Sequence, residues 1–162
     1  MLLWDLEMES ERQDLERLTL AQRLSVAVKT IVWTVDTLPE PVATNAVRAY
    51  LSEGLRLAQQ AVQSGQIRVT LPRRLVDQYE SVDAQADEPG TSHFLEALMV
   101  CSEAESGLDP DQLFGVLSFC YEGSLDREGL DEWSPDIERQ NQRCLNVISY
   151  QKSLIHDALG GA

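Results

Sequence analysis

The side chains best suited to chemistry are few in this sequence. There are two histidines, His93 and His156, and three cysteines, Cys101, Cys120 and Cys144. The cysteines are odd in number, and no CxxC pair occurs among them. Such usage fits reduced, buried thiols better than a disulfide framework or a zinc site. A Cys–His nucleophile would need His93 to meet one of the thiols through tertiary contact, since no local spacing brings them together. His93 falls at an expected helix start, where solvation or a neighbouring acid accounts for it. His156 lies near the end of the last expected helix, where a cation is favoured by the helix dipole. The chain has no Glu-x-x-His, HExxH, GxGxxG, GxxxxGK[ST] or GxSxG. Di-iron, zinc-protease, nucleotide-binding and hydrolase chemistries of the usual kinds are therefore without support. No catalytic residue, metal or cofactor is expected, and an enzyme of an unrecognised family stands only as an alternative.

Carboxylates are the abundant reactive groups. The 162 residues carry 27 Asp and Glu against 13 Lys and Arg, a net charge of −14. Residues 1–76 hold nine acids and nine bases, and residues 139–162 one acid and three bases. Residues 77–138 hold seventeen acids and one base, Arg127, so the excess is confined to that segment. Clustered carboxylates argue against direct nucleic-acid or anionic-membrane binding, which need Lys and Arg. Asp126, Glu128, Asp131 and Glu132 are dense but do not follow the calcium-loop spacing, and no glycine stands at its sixth position.

Some acids have local reasons to exist. Asp109, Asp111, Asp136 and Glu138 occupy first helical turns, where the dipole favours negative charge by about 0.3–1 kcal/mol. Others, Glu103, Glu105, Glu122, Asp126 and Asp83, are expected in last turns, where the same dipole opposes them. Unless bases from the amino-terminal half or Arg139, Arg143 and Lys152 compensate them, these acids mark an interaction surface. Tyr121 beside Glu122, and Trp133 beside Glu132, add the aromatic component of a binding hot spot. The expected partner-binding set is thus Glu103, Glu105, Tyr121, Glu122, Asp126, Glu128, Asp131, Glu132 and Trp133. Trp133 can equally fold back onto the bundle, and Tyr121 can belong to the core.

Helices must position these groups. Residues 2–18 form a charged amphipathic segment with Leu3, Leu6, Leu15 and Leu18 on one stripe, loosely packed and able to fray. Leu20, Leu24, Ala27, Val28, Ile31 and Val35 recur at helical spacing up to the Pro39/Pro41 break, with Trp33 in the core. The β-branched run SVAVKTIVWTV makes a strand the rival assignment for residues 25–35, and the turnless LERLTLAQRL lead-in favours a helix. Val47 to Val62 predict a helix ended by Gly65, and residues 66–71 allow a short extended segment. Further helices are predicted from Pro72 to about Asp83 and from His93 to about Ser106, the latter capped by Thr91 or Ser92. Another starts at Asp109-Pro110-Asp111-Gln112. The last runs from Ser134-Pro135-Asp136 to Gly160-Gly161. The sum is a compact all-α bundle of six or seven helices forming a single domain over residues 1–162.

The amino terminus has no basic region followed by an apolar run, and no stretch reaches membrane-span length, so a cytoplasmic protein is expected. Acidic, helical and poor in motifs, the chain resembles in profile the immunity proteins that protect bacteria from toxins, and equally decoys that imitate DNA. The leading expectation is a non-catalytic inhibitor of a basic macromolecule such as a nuclease-like toxin. A helical adaptor or oligomerisation module is the alternative, and the oligomeric state is left open.

Overall fold

The structure is a computed structural model that describes residues 1–160, and among these no β-strand occurs. In chain order the helices are α1 (Leu3–Met8), α2 (Arg12–Arg17), α3 (Leu20–Asp36), α4 (Asn45–Gln63), α5 (Arg73–Ala84), α6 (Thr91–Glu103), α7 (Pro110–Glu128), α8 (Pro135–Glu138) and α9 (Gln142–Gly160), with a 3₁₀ turn over Glu9–Glu11. The all-α bundle is as expected. It has more segments because the first and last expected helices are each broken in two.

Residues 25–35 are helical, and their surroundings explain why the β-branched run does not form a strand. Thr19 Oγ1 accepts from the Gln22 N–H at 3.1 Å, while the Thr19 N–H donates to Gln22 Oε1 at 2.9 Å. This capping box starts α3 afresh, so the lead-in contains a break that the sequence reading passed over. The Thr30 and Thr34 hydroxyls, both fully buried, donate to the Val26 and Thr30 carbonyls at 2.7 and 2.6 Å. With its polar groups satisfied, α3 runs through the centre, packed against α4, α6, α7 and α9. Leu24, Ala27 and Ile31 are sealed from solvent there. Each buried Leu or Ile contributes about 1.5–3 kcal/mol of transfer free energy.

The amino-terminal segment packs where fraying was expected. Trp4 and Met8 turn inward with Leu3, Leu15 and Leu18, whereas Leu6, assigned to the apolar stripe, is exposed. The 3₁₀ turn re-aims α2, so no single helical stripe spans the segment. Trp4 stacks at a tilt on Phe114, with ring centroids 4.6 Å apart, and donates through Nε1 to Gln151 Oε1 at 2.7 Å.

At the other end, Glu138 breaks the last expected helix. It is fully buried, and its Oε1 accepts from the Leu3 N–H at 3.0 Å and from the Tyr121 hydroxyl at 2.6 Å. Asn141 Oδ1 then accepts from the Cys144 N–H at 2.9 Å, restarting the chain as α9. Gly160 is the last residue of α9, and Gly161 of the expected stop lies outside the described residues. The segment 66–71 is not a strand. It is tied to the bundle backbone by the Gln66 N–H, which donates to the Ala61 carbonyl at 3.0 Å, and by the Val69 N–H, which donates to the Cys101 carbonyl at 3.1 Å.

The start of α6 also departs from expectation. Its cap is Gly90, at φ +78°, with Thr91 buried as the first helical residue. A Cβ on Gly90 would lie 2.0 Å from the Gly123 carbonyl oxygen, so glycine is required by both conformation and space. This contact sets α6 tightly against α7.

Candidate functional site

On α6, Phe94, Leu95, Leu98 and Cys101 face the core, leaving His93, Glu96, Val100 and Glu103 on the outer stripe at spacings of three and four. Glu96 and Glu103 are exposed. From α5 comes Tyr79, half-buried, its ring tilted against Tyr50 at a centroid distance of 6.3 Å. Burial, then the carboxylates of Asp83, Glu96 and Glu103, push the Tyr79 hydroxyl up to about 12. An aromatic ring therefore sits within the field of three carboxylates supplied by two helices. One oxygen of Asp83, Oδ1, is buried without a hydrogen-bond partner.

The other flank belongs to α7. His93 Nε2 lies 3.8 Å from Glu122 Oε2, and its ring is 6.3 Å from that of Phe119. Among the described residues no Lys or Arg forms an ion pair with Asp83, Glu96, Glu103 or Glu122. Such an uncompensated field attracts cations over a Debye length, roughly 8–10 Å at ordinary ionic strength.

The residues expected to bind a partner divide into three groups. Glu103 belongs to this surface, Glu122 to its edge, and Glu105 is exposed just past the end of α6. Asp131, Glu132 and Trp133 are exposed together in the connection from α7 to α8, with Trp133 at 43%. Tyr121, Asp126 and Glu128 are engaged within the fold, Tyr121 buried and the two acids half-buried. Tyr121 is buried against Glu138, because the α7 position that carries it faces α8 and α9. Asp126 Oδ2 accepts from the Gly90 N–H at 2.7 Å, and Glu128 Oε1 from Asn141 Nδ2 at 3.0 Å. Asp126 thus trades an unfavourable dipole position for the start of the neighbouring helix.

Bases do compensate part of the acidic segment. Arg73 pairs with Asp77, Arg12 with Asp111, Arg127 with Glu88 and Arg139 with Asp136. Arg143 donates to the Thr34 carbonyl and Thr37 hydroxyl, and Lys152 pairs with Glu7, so neither serves the surface on α5 and α6. The sequence reading missed Tyr79 and Glu96. Tyr79 adjoins Glu80 in the chain just as Tyr121 adjoins Glu122, so its ring was open to the same argument, whereas Glu96 has no aromatic neighbour and is linked to Tyr79 only through the packing of α5 and α6 on α4.

The remaining reactive groups are quiet. All three thiols are buried and free. Burial pushes Cys101 up to about 12 and raises Cys120 and Cys144 as well, so none supplies a thiolate near neutral pH. Glu11, Asp14 and His156 bring donor atoms within 4.8 Å of one another, a set that could hold a metal ion. Protein partners already occupy them: His156 Nε2 is 2.9 Å from Glu11 Oε2, and Arg17 holds Asp14 at 3.3 Å.

No helix among the described residues is long and apolar enough to cross a membrane. Fold and site together define an all-α protein whose most distinctive surface is carboxylate-rich and centred on an aromatic ring. Compared with known proteins, the chain matches no family model, no curated protein and no solved structure.

Proposed function

We propose that this is a non-catalytic acidic binding protein that neutralises a basic macromolecular partner, acting as an inhibitor or immunity protein against a nuclease-like toxin. The observation that carries this reading is that Asp83, Glu96 and Glu103 lie close enough to raise the Tyr79 hydroxyl pKa, while among the described residues none of the three forms an ion pair with Lys or Arg. Each carboxylate placed near others without a counter-ion costs stability, and partner binding is what such a cost serves. A basic partner supplies the missing cations, and the tyrosine ring supplies contact area and a cation–π acceptor for Arg or Lys. Asp131, Glu132 and Trp133 form a second acidic and aromatic element available to the same class of partner. The buried, unreactive thiols favour binding over nucleophilic catalysis and suit a reducing cytoplasm.

The test is capture from the native host at low salt, followed by titration of the captured chain's own activity. The reading expects a basic protein whose nuclease-like activity falls stoichiometrically as the acidic protein is added, and which Glu96→Lys with Glu103→Lys no longer inhibits. Capture of an acidic or neutral chain by the wild type, with the double variant equally effective, overturns it.

A further inference from the structure

On the α3–α4 side the charge logic reverses. Between these helices runs an open apolar groove with two overlapping lobes of about 360 and 460 Å³ that share Val32, Asp36 and Gln59. The first lobe is lined in part by Trp33 and Tyr150, which stack nearly parallel, 10° apart in plane, with ring centroids 4.2 Å apart. The second is walled by Val35, Leu51 and Leu55. Lobes of this size and lining match sites for small organic ligands.

Its rim is cationic. Lys29 lines the first lobe, and Arg48 and Arg56 line the second, against one carboxylate, Asp36. Among the described residues none of these three bases forms an ion pair. Arg48 is held by the Val42 carbonyl and Asn45 Oδ1 at 3.0 and 2.6 Å, and Glu53, which feels the charge of Arg56, is engaged chiefly by Arg74. Arg143, 5.1 Å above the Trp33 ring, adds a fourth positive charge at the aromatic pair, bonded only to neutral oxygens. In a chain with fourteen more acids than bases, carboxylates to pair these cations are not scarce. Leaving them unpaired around an apolar trough suits an anion with an apolar body.

We propose that the α3–α4 groove binds an amphipathic organic anion, an aliphatic or aromatic carboxylate or sulfonate, with its apolar body along Val32, Leu55 and the Trp33–Tyr150 stack and its acidic head between Lys29 and Arg56. The site is independent of the acidic surface and stands whether or not a basic partner is found. A ligand in the first lobe covers Trp33, so its emission reports occupancy, and subtracting the Trp33→Phe signal removes Trp4 and Trp133.

The test titrates the full chain with dodecanoate and with dodecanol, a neutral molecule of equal chain length, at low salt. Dodecanoate is expected to bind and change Trp33 emission, dodecanol to bind at least about tenfold more weakly, and Lys29→Ala with Arg56→Ala to weaken dodecanoate by about tenfold or more at unchanged melting temperature. Equal binding of the two ligands, an unaffected double variant, or no binding up to about 1 mM overturns the proposal. Should an acidic amphipathic peptide bind the groove while dodecanoate does not, the groove is a helix-docking surface and the small-anion assignment is wrong.

Discussion

Tyr121 donates a 2.6 Å hydrogen bond to Glu138, and both residues are shut away from solvent. The same carboxylate oxygen takes the Leu3 N–H, so one buried acid ties together α1, α7 and α8. Burial, and then the bond to Glu138, raises the Tyr121 hydroxyl pKa, keeping it protonated as the donor. Tyr121→Phe leaves the buried carboxylate without its strongest partner and is expected to cost about 1–3 kcal/mol. Chemical denaturation measures this directly. Binding of a basic partner by the folded variant is expected to be unchanged, which separates Tyr121 from the interaction surface.

Stability in acid depends on Glu88. Its carboxylate accepts from the Ala43 and Thr44 N–H groups and the Thr44 hydroxyl, and Arg127 lies 3.6 Å away. The backbone bonds from Ala43 and Thr44, foremost, lower its pKa from 4.5 to about 2. A carboxylate whose folded pKa is depressed contributes stability that is present above the unfolded value and is lost as pH falls through the folded one. The wild type is therefore expected to lose stability between about pH 4.5 and 2 through this group. Glu88→Gln should be less stable at neutral pH and show a shallower decline over that window, as read by denaturant melts at a series of pH values.

Two glycines of α7 make opposite predictions. A Cβ on Gly123 would lie 2.5 Å from the Phe94 ring, whereas one on Gly115 meets nothing within 4 Å. Gly123→Ala is expected to destabilise by about 1–3 kcal/mol through overpacking. Gly115→Ala should stabilise by about 0.5–1 kcal/mol, because alanine loses less conformational freedom in a helix. Thermal melts of the two single variants check the signs.

Local signals in the sequence were legible where they were also the deciding ones. Asp109 and Gln112 form their capping box, with bonds of 2.7 and 2.9 Å, and α7 starts at Pro110 as its spacing predicts. The apolar period of residues 20–35 marks α3 as helical and central despite its β-branched content. Long-range polar contacts were illegible, and they redirected the rest. Glu138 reads as a first-turn acid favourable to a dipole, yet the Leu3 N–H it captures lies 135 positions away in the chain. Gly90 replaced Thr91 as a cap because Gly123 presses on it, a contact that no helical or turn spacing encodes. Of the acidic surface on α5 and α6, the excess of charge was visible in the sequence and its arrangement about Tyr79 was not. Tyr79 and Glu96 belong to different helices, and only the packing of both α5 and α6 on α4, where Tyr79 meets Tyr50, brings them into one surface. Asp126 and Glu128, grouped with the surface by charge alone, are held by Gly90 and Asn141 instead.

The central claim is that the carboxylates around Tyr79 steer a basic partner, and the rate of association with the captured partner as a function of ionic strength tests it most directly. For the wild type the rate should fall steeply with added salt. Glu96→Lys with Glu103→Lys should slow association at low salt by about tenfold or more and flatten the salt dependence, since steering of this kind accelerates encounter by about 10–10³-fold. The melting temperature should stay the same or rise, as like-charge repulsion with Asp83 is relieved. A folded double variant that associates as fast as the wild type, with the same response to salt, contradicts the account.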